Sequence, residues 1–318
     1  MPTAQIPRLA RLACVVCTVA VALLVPGTAR AQVPWLGPGT EHLPPDPTVP
    51  YLPAVAPLIC ADGAASCFTE LEATLQQRTA ALGCDHDAIF SNAYLTITRA
   101  LIDATGTPGF FARPDRINHE ARTYAQEYLD QSARWHSGDA EHTSPSWQVA
   151  LQAAEDESVT ALGDLMLQLN AHIRRDNPIR AVEQTEGVLR VDGPMPASSG
   201  KPDHEQVSVA LANAMDEMMD ELARHYDPTI DDGSALLGAL VDPRGLYSII
   251  AAWREESWRN AEQLRHAREL EGVDGPLYRA KLAQIEASAH AGALAILAAT
   301  ATDPSRNAAR NAYCAAHV

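Results

Sequence analysis

Lysine is all but missing from this chain: Lys201 and Lys281 are the only two in 318 residues, so that 24 basic residues, the rest arginine, face 40 acidic ones and the formal net charge is −16. A nucleic-acid surface needs clustered positive charge to neutralise phosphates, and docking on anionic lipid needs the same, so neither class of partner is expected. Aromatic residues make up only 5%. No run of β-branched and aromatic residues alternates at period two for more than a few positions. Gly187-Val-Leu-Arg-Val191 is the one tempting strand, and it has no partner. There is no Gly-x-Ser-x-Gly elbow, no phosphate-binding loop, no dinucleotide fingerprint and no His-Glu-x-x-His, and the serines Ser198 and Ser199 lack a nearby base in sequence. No internal repeat at a fixed period argues for a solenoid. Long hydrophobic runs are also missing. Leu12 to Val25 is 14 residues, short of the ~20 that span a bilayer. Ala287 to Ala301 is interrupted by His290 and reads as a closely packed core helix.

What is present begins with an export signal. Arg8 and Arg11 precede the apolar stretch, Pro26-Gly27 breaks it, and Ala29-Arg30-Ala31 offers a small-residue cleavage site before Gln32. Residues 1–31 are therefore expected to be a secretory signal peptide cleaved after Ala31, leaving a secreted or cell-envelope protein with no integral membrane segment. Its loss removes Arg8, Arg11 and Arg30 and moves the net charge from −16 to −19. Four cysteines remain, an even count that favours disulfides in an exported chain. Of the three possible connectivities, Cys60–Cys67 with Cys84–Cys314 is preferred, the second stapling the C-terminal tail to the first helices. Their spacing matches no zinc motif.

Residues 32–58 carry Pro34, Pro38, Pro44, Pro45, Pro47, Pro50, Pro53 and Pro57 and form an extended proline-rich arm or linker. From 59 to 318 apolar residues recur at three and four, which predicts an all-α, irregular multi-helix bundle. Expected helices run over 64–82, 86–105, 114–137, Pro145 to about Arg175, from Pro202-Asp203 past His225, 243–271, 276–300 and about 303–315. Glu186 to Pro202 is the one long internal loop.

The most pointed segment is Asn170-Ala-His-Ile-Arg-Arg-Asp176, expected to end the fourth helix before Asn177-Pro178. His172 and Asp176 stand four apart and share a helical face with Leu165 and Leu169. That spacing suits two ligands of one metal, an acid-assisted general base, or simply a helix-terminal histidine oriented by its neighbour. A zinc-like divalent metal would need further ligands; His204 is the first candidate, and His86 and His119, the latter beside Glu120, are others, each at a helix start where acids are common as caps. The second dense segment is Trp253-Arg-Glu-Glu-Ser-Trp-Arg-Asn260. Glu256 is a candidate third catalytic group, paired with Arg174 or Arg175 if buried, and Asn170, Arg254 and Trp258 are candidates for binding a ligand.

Together, Asn170-Ala-His-Ile-x-x-Asp176 and Trp253-Arg-Glu…Trp258-Arg-Asn-Ala-Glu262 resemble a bacterial family of helical domains of unknown function, and Tyr94-Leu-Thr-Ile-Thr98 and Asp203-His204 add to the likeness. It spans roughly residues 65–270. The resemblance implies an all-helical fold and weight for His172 and Asp176, and it transfers no activity. Two functional readings remain: a non-catalytic envelope or extracellular protein binding a small molecule or envelope component, which is preferred, and a metal-assisted hydrolase of phosphoesters or esters built on His172, Asp176 and either His204 or Glu256.

Overall fold

Proline and short polar side chains start most of the helices, and the apolar stripes of those helices then decide how they pack. A computed structural model describes residues 64–180, 200–230 and 243–318. The expected signal peptide, the expected proline arm, Cys60 and residues 181–199, which include the possible strand Gly187–Val191 and most of the expected long loop, lie outside the described residues. Pro114, Pro145, Pro276 and Pro304 each open a helix at a position where the missing N–H is not needed. Ser144, Thr160 and Asp303 accept backbone N–H groups as N-caps.

In chain order the helices are α1 (Ser66–Leu82), α2 (Asp87–Gly106), α3 (Pro114–His136), α4 (Pro145–Glu155), α5 (Ala161–Asn170), a π-helical turn (Ala171–Asp176), α6 (Asn177–Arg180), α7 (Lys201–His225), α8 (Pro243–Glu271), α9 (Pro276–Thr300) and α10 (Pro304–His317). Among the described residues there is no strand, only an isolated bridge between Val159 and Ala301. The fold is all-α. The main core gathers residues such as Leu71, Ile89, Phe90, Tyr128, Trp147, Leu165, Leu222 and Ile250, and a smaller one surrounds Trp258, Leu264 and Ile285.

Three expectations change. The helix foreseen from Pro145 to about Arg175 is broken: Glu157 adopts a positive φ of 50°, and Thr160 caps a fresh helix. The chain also continues helically past Arg175 to Arg180, because Pro178 stands in the first turn of α6, where a missing donor costs least. Finally, α9 is not closely packed all round. It buries one stripe (Tyr278, Lys281, Ile285, Ala289, Ala293, Ile296 and Thr300), and Leu277 and Leu294 are exposed. By length and composition α9 is apolar enough to cross a membrane, the one such helix among the described residues.

Cys84 and Cys314 are disulfide-bonded across 230 residues and fasten α10 to the turn before α2. Cys67 is buried, and its expected partner Cys60 lies outside the described residues.

Candidate functional site

The π-turn after α5 points two sets of side chains in two directions. One set locks the turn to its neighbours. Asn170 donates from Nδ2 to the Ala289 carbonyl of α9 (2.8 Å), and its Oδ1 accepts from Arg174 (3.2 Å). Arg174 grips Glu256 of α8 with two N–H groups (2.9 and 3.1 Å) and donates to Ser288 (2.8 Å). The anticipated pairing of Glu256 with Arg174 exists, but Glu256 is 37% exposed and sits at the outer edge, not in a buried site. Gly292 lets this lock close: a Cβ there would stand 2.5 Å from Arg174 Nη1 and 2.6 Å from Asn170 Oδ1.

The other set faces inward. His172 lies in a ring of aromatic side chains, with Tyr94, Phe90, Tyr124 and Trp147 at centroid distances of 5.1 to 6.5 Å. Its Nδ1 lies 3.3 Å from Asp176 and its Nε2 3.2 Å from the Tyr94 hydroxyl. Burial raises the Tyr94 pKa well above that of a free phenol, so this hydroxyl keeps its proton and donates to Nε2. The proton of a neutral His172 then sits on Nδ1, toward Asp176. Asp176 is fully buried and also accepts from Trp147 Nε1 (2.9 Å) and Arg175 (2.9 Å).

Beyond His172 the interior opens into a cavity of about 100 Å³. Leu101 and Ile97 of α2, Ile117 of α3, Leu211 and Met215 of α7 and Ile250 of α8 supply its carbon walls. Polar groups line it too: Glu120 and Tyr124 of α3, Asn177 of α6, Arg254 of α8, and Thr98 of α2, whose buried Oγ1 has no hydrogen-bond partner among the described residues. Tyr124 donates to Asn177 Oδ1 at 2.5 Å. Burial pushes the Glu120 carboxyl up to about 7, opposed chiefly by the positive charge of Arg254. Arg254 is held by Ser208 Oγ (2.9 Å), the His204 carbonyl (2.9 Å) and His204 Nδ1 (3.2 Å).

The sequence-based candidates therefore separate. His172 and Asp176 come together, and His172 and Arg254 line one cavity. His204 lies behind Arg254 and against Trp258 (4.9 Å), and no hydrogen bond links it to His172 or Asp176 among the described residues. Burial and the charges of Arg254 and Lys201 depress its pKa well below that of a free imidazole. Trp258 packs in the smaller core and donates to Glu262 (2.6 Å). Asn170 and Glu256 belong to the lock. Among the described residues no group of three or more His, Cys, Asp or Glu side chains is placed to hold a metal ion. His86 is instead buried against Asp164 (2.6 Å), whose carboxyl burial raises to about 6.

Glu120 and Tyr124 were not singled out by sequence, although Glu120 was visible as the neighbour of His119. The signal was there. Ile117, Glu120, Tyr124 and Tyr128 fall on the buried stripe of α3, and an acid on an apolar stripe is uncommon.

A model of the family described as "Family of unknown function (DUF5995)" matches residues 68–299, and the chain belongs to this family. Comparisons with curated proteins and with solved structures find no match.

Proposed function

We propose that this member of the family is an exported, non-catalytic binding protein whose helical body holds a compact apolar small molecule in the cavity beside His172. The observation that carries the reading is the cavity: about 100 Å³, walled largely by carbon, with a few polar groups turned into it. An apolar cavity of ~150 Å³ stays dry and admits benzene, so a space of about 100 Å³ suits a ligand of at most one ring or a short branched chain. The Thr98 hydroxyl, without a partner among the described residues, is a further reason to expect an occupant with a polar group. Residues 1–31 supply the export signal, and the Cys84–Cys314 bond suits an oxidising compartment.

Thermal unfolding with benzene and toluene tests binding. The midpoint is expected to rise with probe concentration and to stop responding in Leu211→Trp, which fills the cavity. No response of the unaltered protein to either probe would sink the reading. For export, N-terminal sequencing of the extracytoplasmic protein is expected to begin at Gln32.

Glu120, held near neutrality and facing the same space as His172, favours a second reading in which the pair moves a proton on the occupant. That reading requires turnover lost in Glu120→Gln while binding survives. The metal-assisted hydrolase is tested by elemental analysis. Stoichiometric zinc that disappears in His172→Ala would replace the binding reading.

A further inference from the structure

Resting on the cavity being a ligand site, we infer that its ligand carries a carboxylic acid group, held between Arg254 and Glu120. Both residues are 6% exposed and both line the cavity, yet no hydrogen bond or ion pair joins them among the described residues. Opposite charges buried in one apolar wall normally meet, because leaving either uncompensated is costly. Here the guanidinium spends Nε and Nη2 on Ser208 and His204, and Nη1 has no protein acceptor among the described residues. Tyr124 bridges Asn177 and Glu120 by hydrogen bonds, so the only side-chain hydrogen-bond partner of Glu120 among the described residues is a neutral phenol, and one carboxyl oxygen is left for a ligand.

A carboxylate in the gap accepts from Arg254 Nη1 on one oxygen and from the protonated Glu120 carboxyl on the other. Both are charge-assisted hydrogen bonds made by side chains that are almost wholly buried. The occupied site then holds one positive and one negative charge. A neutral ester leaves the guanidinium without its counter-charge, and an ammonium adds a second positive charge beside it. The apolar part of the ligand lies toward Leu101, Leu211 and Ile250. The groups that act on Glu120 are Arg254 from α8, Asp203 at the start of α7, and Tyr124 and Arg116 on its own helix, with His172 on the same cavity wall. Because Glu120 must hold a proton in the complex, affinity falls as the pH rises through about 7.

Calorimetric titration of the purified protein with benzoate, methyl benzoate and benzylamine, at pH 6 and pH 8, decides the matter. Benzoate at pH 6 is expected to bind about tenfold or more tighter than methyl benzoate, with benzylamine weakest, and to lose about tenfold between pH 6 and pH 8. Arg254→Gln is expected to cost benzoate about tenfold and to leave methyl benzoate within about threefold. Glu120→Gln, which keeps a donor and cannot ionise, is expected to hold benzoate with no pH dependence. Should Arg254→Gln fail to fold, the ester-to-acid ratio of the unaltered protein and the pH profile of Glu120→Gln still decide whether the head group is an acid. Methyl benzoate binding as tightly as benzoate, with both lost in Leu211→Trp, would overturn the acid head group and leave the binding cavity standing. Failure of all three probes together with benzene and toluene would remove both.

Discussion

Asp176 and Glu120 are two carboxylates buried to a similar depth in one helical body, and they are treated in opposite ways. Asp176 meets three donors, Trp147, Arg175 and His172, on elements packed tightly about it. Glu120 faces a cavity, has one hydrogen-bond partner in Tyr124 and a guanidinium that does not touch it, and has its pKa raised to about 7 by burial. A buried acid surrounded by donors belongs to the scaffold, because any ligand would have to displace what already satisfies it. A buried acid with a single neutral partner and a cavity on its other side is where an occupant gains most. The contrast reverses the weight that spacing in the sequence suggests, since Asp176 stands in the conspicuous segment and Glu120 does not.

The sharpest way to break this comparison is to remove Asp176. Asp176→Ala leaves Arg175 and the Trp147 N–H facing a buried void, and it is expected to lower stability by about 3–5 kcal/mol in urea unfolding. A loss below about 1 kcal/mol would show that Asp176 is not the structural member of the pair. Glu120→Gln comes next, and its effect depends on pH. The folded pKa is raised, so the contribution of Glu120 to stability is full below the ordinary carboxylate range and is lost as the pH climbs through about 7. Without ligand, the unaltered protein should lose on the order of 2–3 kcal/mol across that window. In the variant this slope should vanish, which makes it the more stable of the two at pH 8. Unfolding midpoints measured from pH 4 to 9 check this, and an unchanged slope would contradict it.

Gly292→Ala probes the lock on the far side of the π-turn. The added methyl meets the short, buried Asn170 side chain as well as Arg174, so a loss of about 1–3 kcal/mol is expected, with the cavity still binding benzene. Glu256→Gln should matter least, under about 1 kcal/mol, because its partly exposed ion pair with Arg174 is screened by solvent. A larger loss, or a loss of ligand binding, would return Glu256 to the site.

Most of the fold was legible because period-3.6 stripes and proline starts are local signals. The ranges 243–271 and 276–300 match α8 and α9 residue for residue. The break after Glu155 was hidden, since Leu151 and Ala154 before it and Ala161, Leu165 and Leu169 after it keep one apolar register, and only the positive φ of Glu157 reveals it. The Cys84–Cys314 pairing followed from parity and position. For the site, the contact of His172 with Asp176 was written in the four-residue spacing, and Arg254, singled out in the sequence, lines the cavity. Glu120 reaches the same cavity from α3, and Leu211 and Ile250 from α7 and α8, at separations where no local pattern points from one to another. A cavity is a property of packing, and a short stretch of sequence does not record it.

A crystal structure of the purified protein pressurised with xenon, which settles in apolar cavities open to small molecules, tests whether this space is open to a ligand. Xenon is expected among Leu101, Leu211 and Ile250, within reach of Glu120 and Arg254. Side chains collapsed into that space, with no xenon bound, would contradict the account.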